Sequence, residues 1–270
     1  MKHLLQLLLS ILISTQLAAQ CPTVDLSYFS QSELNQFIID YPDCEHLTTH
    51  LNIVASDLTD LSPLKNIKST TGNIALRNTQ LENLAGLDSL ESFGTFLIAN
   101  NSQLKSIHGL ENLKSIDIIR LHGNRSLEDV SALENLEYFN DLSIYADSAL
   151  VKLPNLYKLN ESAKRNVKCK IILGDLPNLN NLTGLDSLFI LNGLNITDLD
   201  KITDMSGLTN VEEFVGTTGA IIIDNNDNLV DLNAFDNISK IGKGNFNFWI
   251  KNNPILENLD NFSNIDTISG

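Results

Sequence analysis

LKSIHGLENLKSI, residues 104–116, carries an apolar residue at every third position: Leu104, Ile107, Leu110, Leu113 and Ile116. A helix repeats its buried face about every 3.6 residues and a strand every 2, so neither explains the row. A segment with about three residues per turn, either 3₁₀-like or extended like polyproline II, keeps one such row facing one way.

The row recurs. Leu58-Leu61-Leu64-Ile67 and Leu81-Leu84-Leu87-Leu90 precede it, and six more follow, beginning at Leu127, Leu150, Leu179, Ile202, Leu229 and Leu256. Most rows gain a fifth member three residues on, as at Phe93, Phe139, Phe214 and Ile268. Before each row stands a short alternating pair, such as Leu51/Ile53, Ile74/Leu76, Phe96/Ile98, Ile119/Leu121 and, last, Phe248/Ile250. Alternation over a few residues predicts a strand with one face buried. An Asn or Asp usually follows within three residues: Asn78, Asn100, Asn124, Asp147, Asp175, Asp198, Asn225 and Asn252. Such side chains suit a turn, because they bond backbone locally and tolerate its dihedrals.

The unit is therefore strand, Asx turn, then period-three arm. Equivalent strand positions recur every 22 or 23 residues in most units. The step stretches to 29 between Ile144 and Leu173, and to 27 after Ile196 and after Ile223. A fixed period in this range signals a solenoid. The expected fold is β-class: about nine coils, each adding one short parallel strand at ~4.8 Å from the last. The residue before the third apolar member is usually small or Pro, namely Pro63, Gly86, Gly109, Ala132, Gly184, Gly207 and Ala234. That column predicts a bend where backbones of adjacent coils approach closely.

The ends differ from the repeats. Residues 1–20 read as a secretory signal peptide, with Lys2 and His3, an apolar run from Leu4 to Ile13, and Leu17-Ala18-Ala19 as the cleavage site. The protein is then secreted or displayed on the outer cell surface, with no membrane span after signal removal. Cys21 beside the cut raises lipid attachment, against which stands Gln20 where a Gly or Ala is wanted. In an oxidising compartment Cys21 and Cys44 can close a short loop, the alternative being two free thiols. Cys169 shares the phase of Ile171 and Leu173 and is expected in the core. Residues 21–45 read as a helical cap over the first coil, with Ser30 and Glu33 as a capping box and Phe29 and Leu34 as a staple. Leu34, Phe37 and Ile38 form its apolar face. Residues 46–270 form the solenoid. No cap follows the last coil, so the chain is expected to be a fragment or to make an edge-to-edge contact there.

These features together resemble the receptor L domain family of leucine-rich-like, right-handed β-helix repeats. The nearer likeness is to secreted bacterial proteins that string many such repeats together. Cys21-Pro22, Tyr41-Pro42-Asp43-Cys44 and the phrases LTTHLNI and DLTDLSPLKNI carry it. The resemblance implies surface binding or adhesion. The dense cysteines of the animal receptors are missing here, and no ligand-binding residue is carried over.

Composition and motifs point away from chemistry. The 43% hydrophobic content is ample for a core, and the net charge of −15 repels phosphate backbones, so a nucleic-acid partner is not expected. His46 and His50 sit four apart without a metalloprotease Glu between them in the needed pattern, and no phosphate loop or nucleophile elbow occurs. Asp224, Asp227 and Asp231 lack the Gly and terminal Glu of an EF-hand. No enzyme activity, catalytic residue, metal or cofactor is expected. The strand positions between buried pairs point outward and mix Arg, His, Tyr and the one Trp, types enriched where proteins recognise partners. Arg77, Arg120, His122, Tyr145, Ile222, Trp249 and Lys251 are the candidate binding residues. The function read from the sequence is a non-enzymatic surface protein that binds a protein or glycan. The alternatives are a targeting module for a catalytic domain beyond Gly270, or a structural stalk.

Overall fold

The computed structural model describes residues 21–159, 169–215, 220–242 and 247–265, and the backbone of 267–268. The expected signal peptide, residues 1–20, lies outside the described residues, as do the side chain of Ile268 and Gly270.

Among the described residues the chain is mostly β, with one α-helix. The strands are β1 (Leu26–Tyr28), β2 (His46–Leu47), β3 (Leu51–Val54), β4 (Ser69–Arg77), β5 (Ser92–Ala99), β6 (Ser115–His122) and β7 (Tyr138–Tyr145). They continue with β8 (Cys169–Gly174), β9 (Ile190–Thr197), β10 (Glu213–Phe214), β11 (Ala220–Asp224), β12 (Lys240–Ile241), β13 (Asn247–Lys251) and β14 (Thr267–Ile268). All of them join one sheet and every pairing is parallel; the ends of the strand order do not meet, so the sheet is not a barrel. The arrangement is consistent with a parallel β solenoid.

Register follows the sequence pattern. Leu51, Ile74, Phe96, Ile119, Leu142, Ile171, Leu194, Ile221 and Phe248 lie opposite one another from strand to strand. All but Phe248 are buried. A one-residue slip would turn the whole column to solvent, so burial itself pins the register. The longer steps insert residues between strands and leave the pairing intact: Leu142 still meets Ile171, and Leu194 still meets Ile221.

The arms settle the two readings of their period. Leu110 N–H donates to Ile107 O at 3.3 Å and Leu113 N–H to Leu110 O at 3.0 Å, so these two apolar residues each bond back to the one three before, while Ile107 N–H donates across to Asp129 O at 3.1 Å. Five other arms tighten into 3₁₀ turns, at Ser62–Leu64, Ser131–Asn135, Ser206–Leu208, Asn233–Phe235 and Asp260–Phe262. The row is thus a run of i→i+3 turns rather than polyproline II. Asx side chains open these turns, as where Asp129 Oδ1 accepts from Ser131 N–H at 2.8 Å. Coils are stitched sideways too: Lys105 N–H donates to Glu82 O and Glu128 N–H to Lys105 O, both at 2.9 Å. The small-residue column marks close contact. At Gly109 a Cβ would stand 2.2 Å from Leu84 O, and φ is +108°. Only glycine accepts both conditions.

The fifth apolar member proves to be a strand residue. Phe93, Ile116 and Phe139 pair in register at the starts of β5, β6 and β7. Cys169 holds that place in its own coil, opposite Leu191, which explains its burial.

Two expectations about polar residues need correction. Asn124 and Asp147 are not the turn residues of their coils. The positive-φ positions there are Gly123 and Ala146, whereas Asn78, Asn100, Asp175, Asp198, Asn225 and Asn252 occupy it elsewhere. Asn124 and Asp147 come one residue later, are fully buried, and belong to a side-chain ladder with Asn101. Asn101 Oδ1 accepts from Thr79 N–H at 2.9 Å, Asn124 Oδ1 from Asn101 N–H at 3.1 Å, and Asp147 Oδ1 from Asn124 N–H. Asn226 and Asn253 repeat the device near the other end. Between the two ladders the position is held by Leu176 and Leu199, both buried. Turns leave backbone N–H groups unpaired, and a buried one must find an acceptor, which the neighbouring coil's amide supplies.

The helix α1 (Gln31–Asp40) begins at Ser30, whose side chain accepts from Glu33 N–H. Glu33 reaches back to Phe29 N–H at 2.6 Å, one residue earlier than a capping box has it. The staple does not form: Phe29 is 63% exposed, because Tyr28 takes the place against the core. Leu34 and Phe37 are buried, while Ile38 is only half-buried. Gln31 docks the helix on the first arm, its Oε1 accepting from Thr59 and Asp60 N–H at 3.0 Å each.

Cys21 and Cys44 form a disulfide with Cα atoms 4.8 Å apart, so the Cys21 sulfur is committed. The bridge closes a loop across a sequence separation of 23. Replacing both cysteines by serine is expected to lower stability by about 3 kcal/mol, chiefly by freeing the unfolded chain. Urea titration checks this, and an unchanged midpoint would refute it.

At the far end Phe248 is 41% and Leu259 53% exposed, although their positions repeat buried ones. Among the described residues β13 pairs only with β11, so the last apolar row has a layer on one side alone.

Candidate binding face

The inward columns of the sheet fix the outward ones. One outward column runs Ala75, Leu97, Arg120, Ser143, Ile172, Asn195, Ile222, Trp249. The next runs Arg77, Ala99, His122, Tyr145, Gly174, Thr197, Asp224, Lys251. All seven candidate residues therefore lie in two adjacent columns on one face. They do not form one cluster. Arg120, His122 and Tyr145 gather on β6 and β7, Ile222, Trp249 and Lys251 on β11 and β13, and Arg77 stands on β4.

The first group is the more ordered. His122 Nε2 lies 2.8 Å from Ser143 Oγ, and its ring meets the Tyr145 ring edge-on at 6.3 Å. Burial, and then the charge of Arg120, hold the His122 pKa below its ordinary value. The imidazole is thus kept neutral near pH 7. A Ser–His pair is half of a nucleophilic constellation. Here Ser143 is only 4% exposed, and no carboxylate hydrogen-bonds His122 among the described residues. The geometry positions the ring; nothing in it aims an oxygen at solvent. Tyr145 is 43% exposed. It lies along the sheet over Gly174, where a Cβ would come within 2.7 Å of Tyr145 Cδ2 and Cε2. Gly174 is the space that lets the phenol ring lie down.

Arg120 is exposed, and its side chain makes no hydrogen bond or ion pair among the described residues. Arg77 is half-buried, with Nη1 donating to Asn52 Oδ1 at 2.6 Å. In the second group Trp249 is 53% exposed above Ile222, its register partner. Lys251 is engaged with Asp224 at 3.1 Å, and Asp224 also accepts from Asn252 Nδ2 at 2.9 Å.

No family model, curated protein or solved structure matches the chain. The receptor L domain resemblance rests on the chain's own phrases. Other polar candidates are absorbed by the framework. His46 Nδ1 lies 2.7 Å from Ser69 Oγ, and His50 Nδ1 accepts from Asn73 N–H. Burial pushes the Cys169 thiol up to about 12, which keeps it from acting as a thiolate. Among the described residues no group of three or more His, Cys, Asp or Glu could hold a metal, and no helix is long and apolar enough to cross a membrane. Sequence reasoning missed Ser143 and Asn52, the partners that orient His122 and Arg77. Both fall in the outward columns once register is known.

Proposed function

We propose that the protein is a secreted or cell-surface, non-enzymatic repeat protein that binds a protein or glycan through the outer face of its parallel sheet. In this reading the sheet is one wall of a right-handed, leucine-rich-type solenoid of about nine coils. The helix α1, held by Cys21–Cys44, caps its first coil. Burial of Leu34 and Phe37 supports the cap.

The observation that carries the reading is the exposure of Arg120 and Tyr145 on paired strands whose inward side chains are buried, with Trp249 exposed on the same face at β13. Recognition residues on a rigid scaffold lose little entropy when a partner arrives. Arrays of glycans and surface proteins, probed with wild type and with Arg120→Ala, His122→Ala and Trp249→Ala, test it. At least one ligand is expected to lose affinity with these variants. Equal binding by all four proteins would remove the sheet face from the reading.

A further inference from the structure

We infer that the ligand of the β4–β7 part of this face is an acidic polysaccharide, one that carries carboxylates on its sugar rings. The inference rests on the sheet-face reading and narrows it to a chemical class.

The first support is charge. The chain carries 33 acidic against 18 Lys and Arg residues. Arg77 and Arg120 nonetheless form no ion pair among the described residues. A guanidinium is well matched to a carboxylate, which it grips with two parallel hydrogen bonds. Two such groups left without that partner, on one face of a protein of net charge −15, make a local site for anions that the rest of the surface repels.

The second support is shape. Arg77 and Arg120 are two strands apart, about 10 Å. Between them β5 offers only Leu97 and Ala99, so the floor is low and apolar. On β7, one strand on from Arg120, the Tyr145 ring lies along the sheet over Gly174, steadied by the edge of His122. An aromatic face laid open in this way suits the apolar face of a sugar ring. A chain of acidic sugars would place carboxylates on the guanidiniums and a ring on Tyr145.

An acidic peptide fits less well. Extended peptides gain affinity by adding a strand to a free sheet edge. The strands β4 to β7 are paired on both sides and present none.

Affinity electrophoresis in gels containing polygalacturonate, neutral dextran or poly-glutamate provides the test. Wild type should be retarded by polygalacturonate alone, and less so as salt rises. Arg77→Ala and Arg120→Ala should each weaken retardation about tenfold or more, the loss of a charge-assisted pair. Arg120→Lys, which keeps charge but not the fork, should restore only part. Unchanged melting midpoints establish that the variants are folded. Retardation by poly-glutamate instead, equal retardation by dextran, or indifference to both arginine changes would overturn the inference. If the arrays meanwhile find a neutral glycan or protein that is lost with Trp249→Ala, the sheet-face reading stands and only the acidic ligand falls.

Discussion

Asp147→Asn is expected to stabilise the protein at pH 8 by up to roughly 4 kcal/mol, and to remove a fall in stability between about pH 4 and pH 7. The ladder explains why. Asn101 Nδ2 donates to Leu76 O at 3.2 Å, Asn124 Nδ2 to Ile98 O at 3.0 Å, and Asn226 Nδ2 to Ile196 O at 3.2 Å. Each amide thus bonds a strand carbonyl of the preceding coil. The equivalent carbonyl for Asp147 is that of Leu121, and a carboxylate has no proton to offer it. Asp147 Oδ2 is buried without a partner. Burial is the main cause that raises the Asp147 pKa from 3.8 to about 7, against the lowering effect of the Asn124 hydrogen bonds. The folded state therefore holds this proton more tightly than the unfolded chain. The contribution is fully present below the unfolded pKa and is lost as pH rises through the folded one. Asp129 and Asp204 work in the opposite sense, since hydrogen bonds from the Ser131 and Ser206 residues lower their pKa values. Comparing wild type with the variant by urea titration at pH 5 and pH 8 cancels those groups and isolates Asp147. The same change of midpoint with pH in both proteins would refute the assignment.

Leu110→Asp should cost at least about 4 kcal/mol and unfold the coils around it. Leu110 is fully buried in the third arm, with its N–H and C=O both bonded inside the row. A carboxylate there loses its water and finds no cation. Leu110→Ala removes the side chain without adding charge, and should cost about 2–5 kcal/mol. Leu259→Asp is the control. It occupies a repeat-equivalent row but is 53% exposed, so its effect should be small. In a solenoid each coil leans only on its neighbours, so damage should be local and the melting curve should broaden or split. A wild-type melting curve for Leu110→Asp would sink the burial of the row.

What could be read from the sequence was what is local and repeated. The rows, the strand pairs and the small residue at each bend each need only a few neighbouring positions to be seen, and the structure buries the rows and pairs as expected in all but the last repeat. The rest depended on coils meeting. Asn124 and Asp147 looked like turn residues because they follow a strand closely. Only Gly123 and Ala146 holding the positive φ shows that they face the next coil. Phe29 looked like a staple until Tyr28 claimed the core. On the outer face, alternation marked Arg120, His122 and Tyr145 correctly as outward. It could not reveal that Ser143 holds one ring or that Gly174 makes room for another, because those partners lie 21 and 29 residues away. No local spacing encodes such a neighbour.

The uneven steps between strands have a consequence for how such a chain can change. Leu142 meets Ile171 across 29 residues as squarely as Ile119 meets Leu142 across 23. Pairing is thus indifferent to how much chain separates the partners, and loop closure costs little for a few extra residues. Insertions can accumulate at those steps while the outward columns keep their order. The molecule behaves like a printed ribbon whose margin can be widened without disturbing the text.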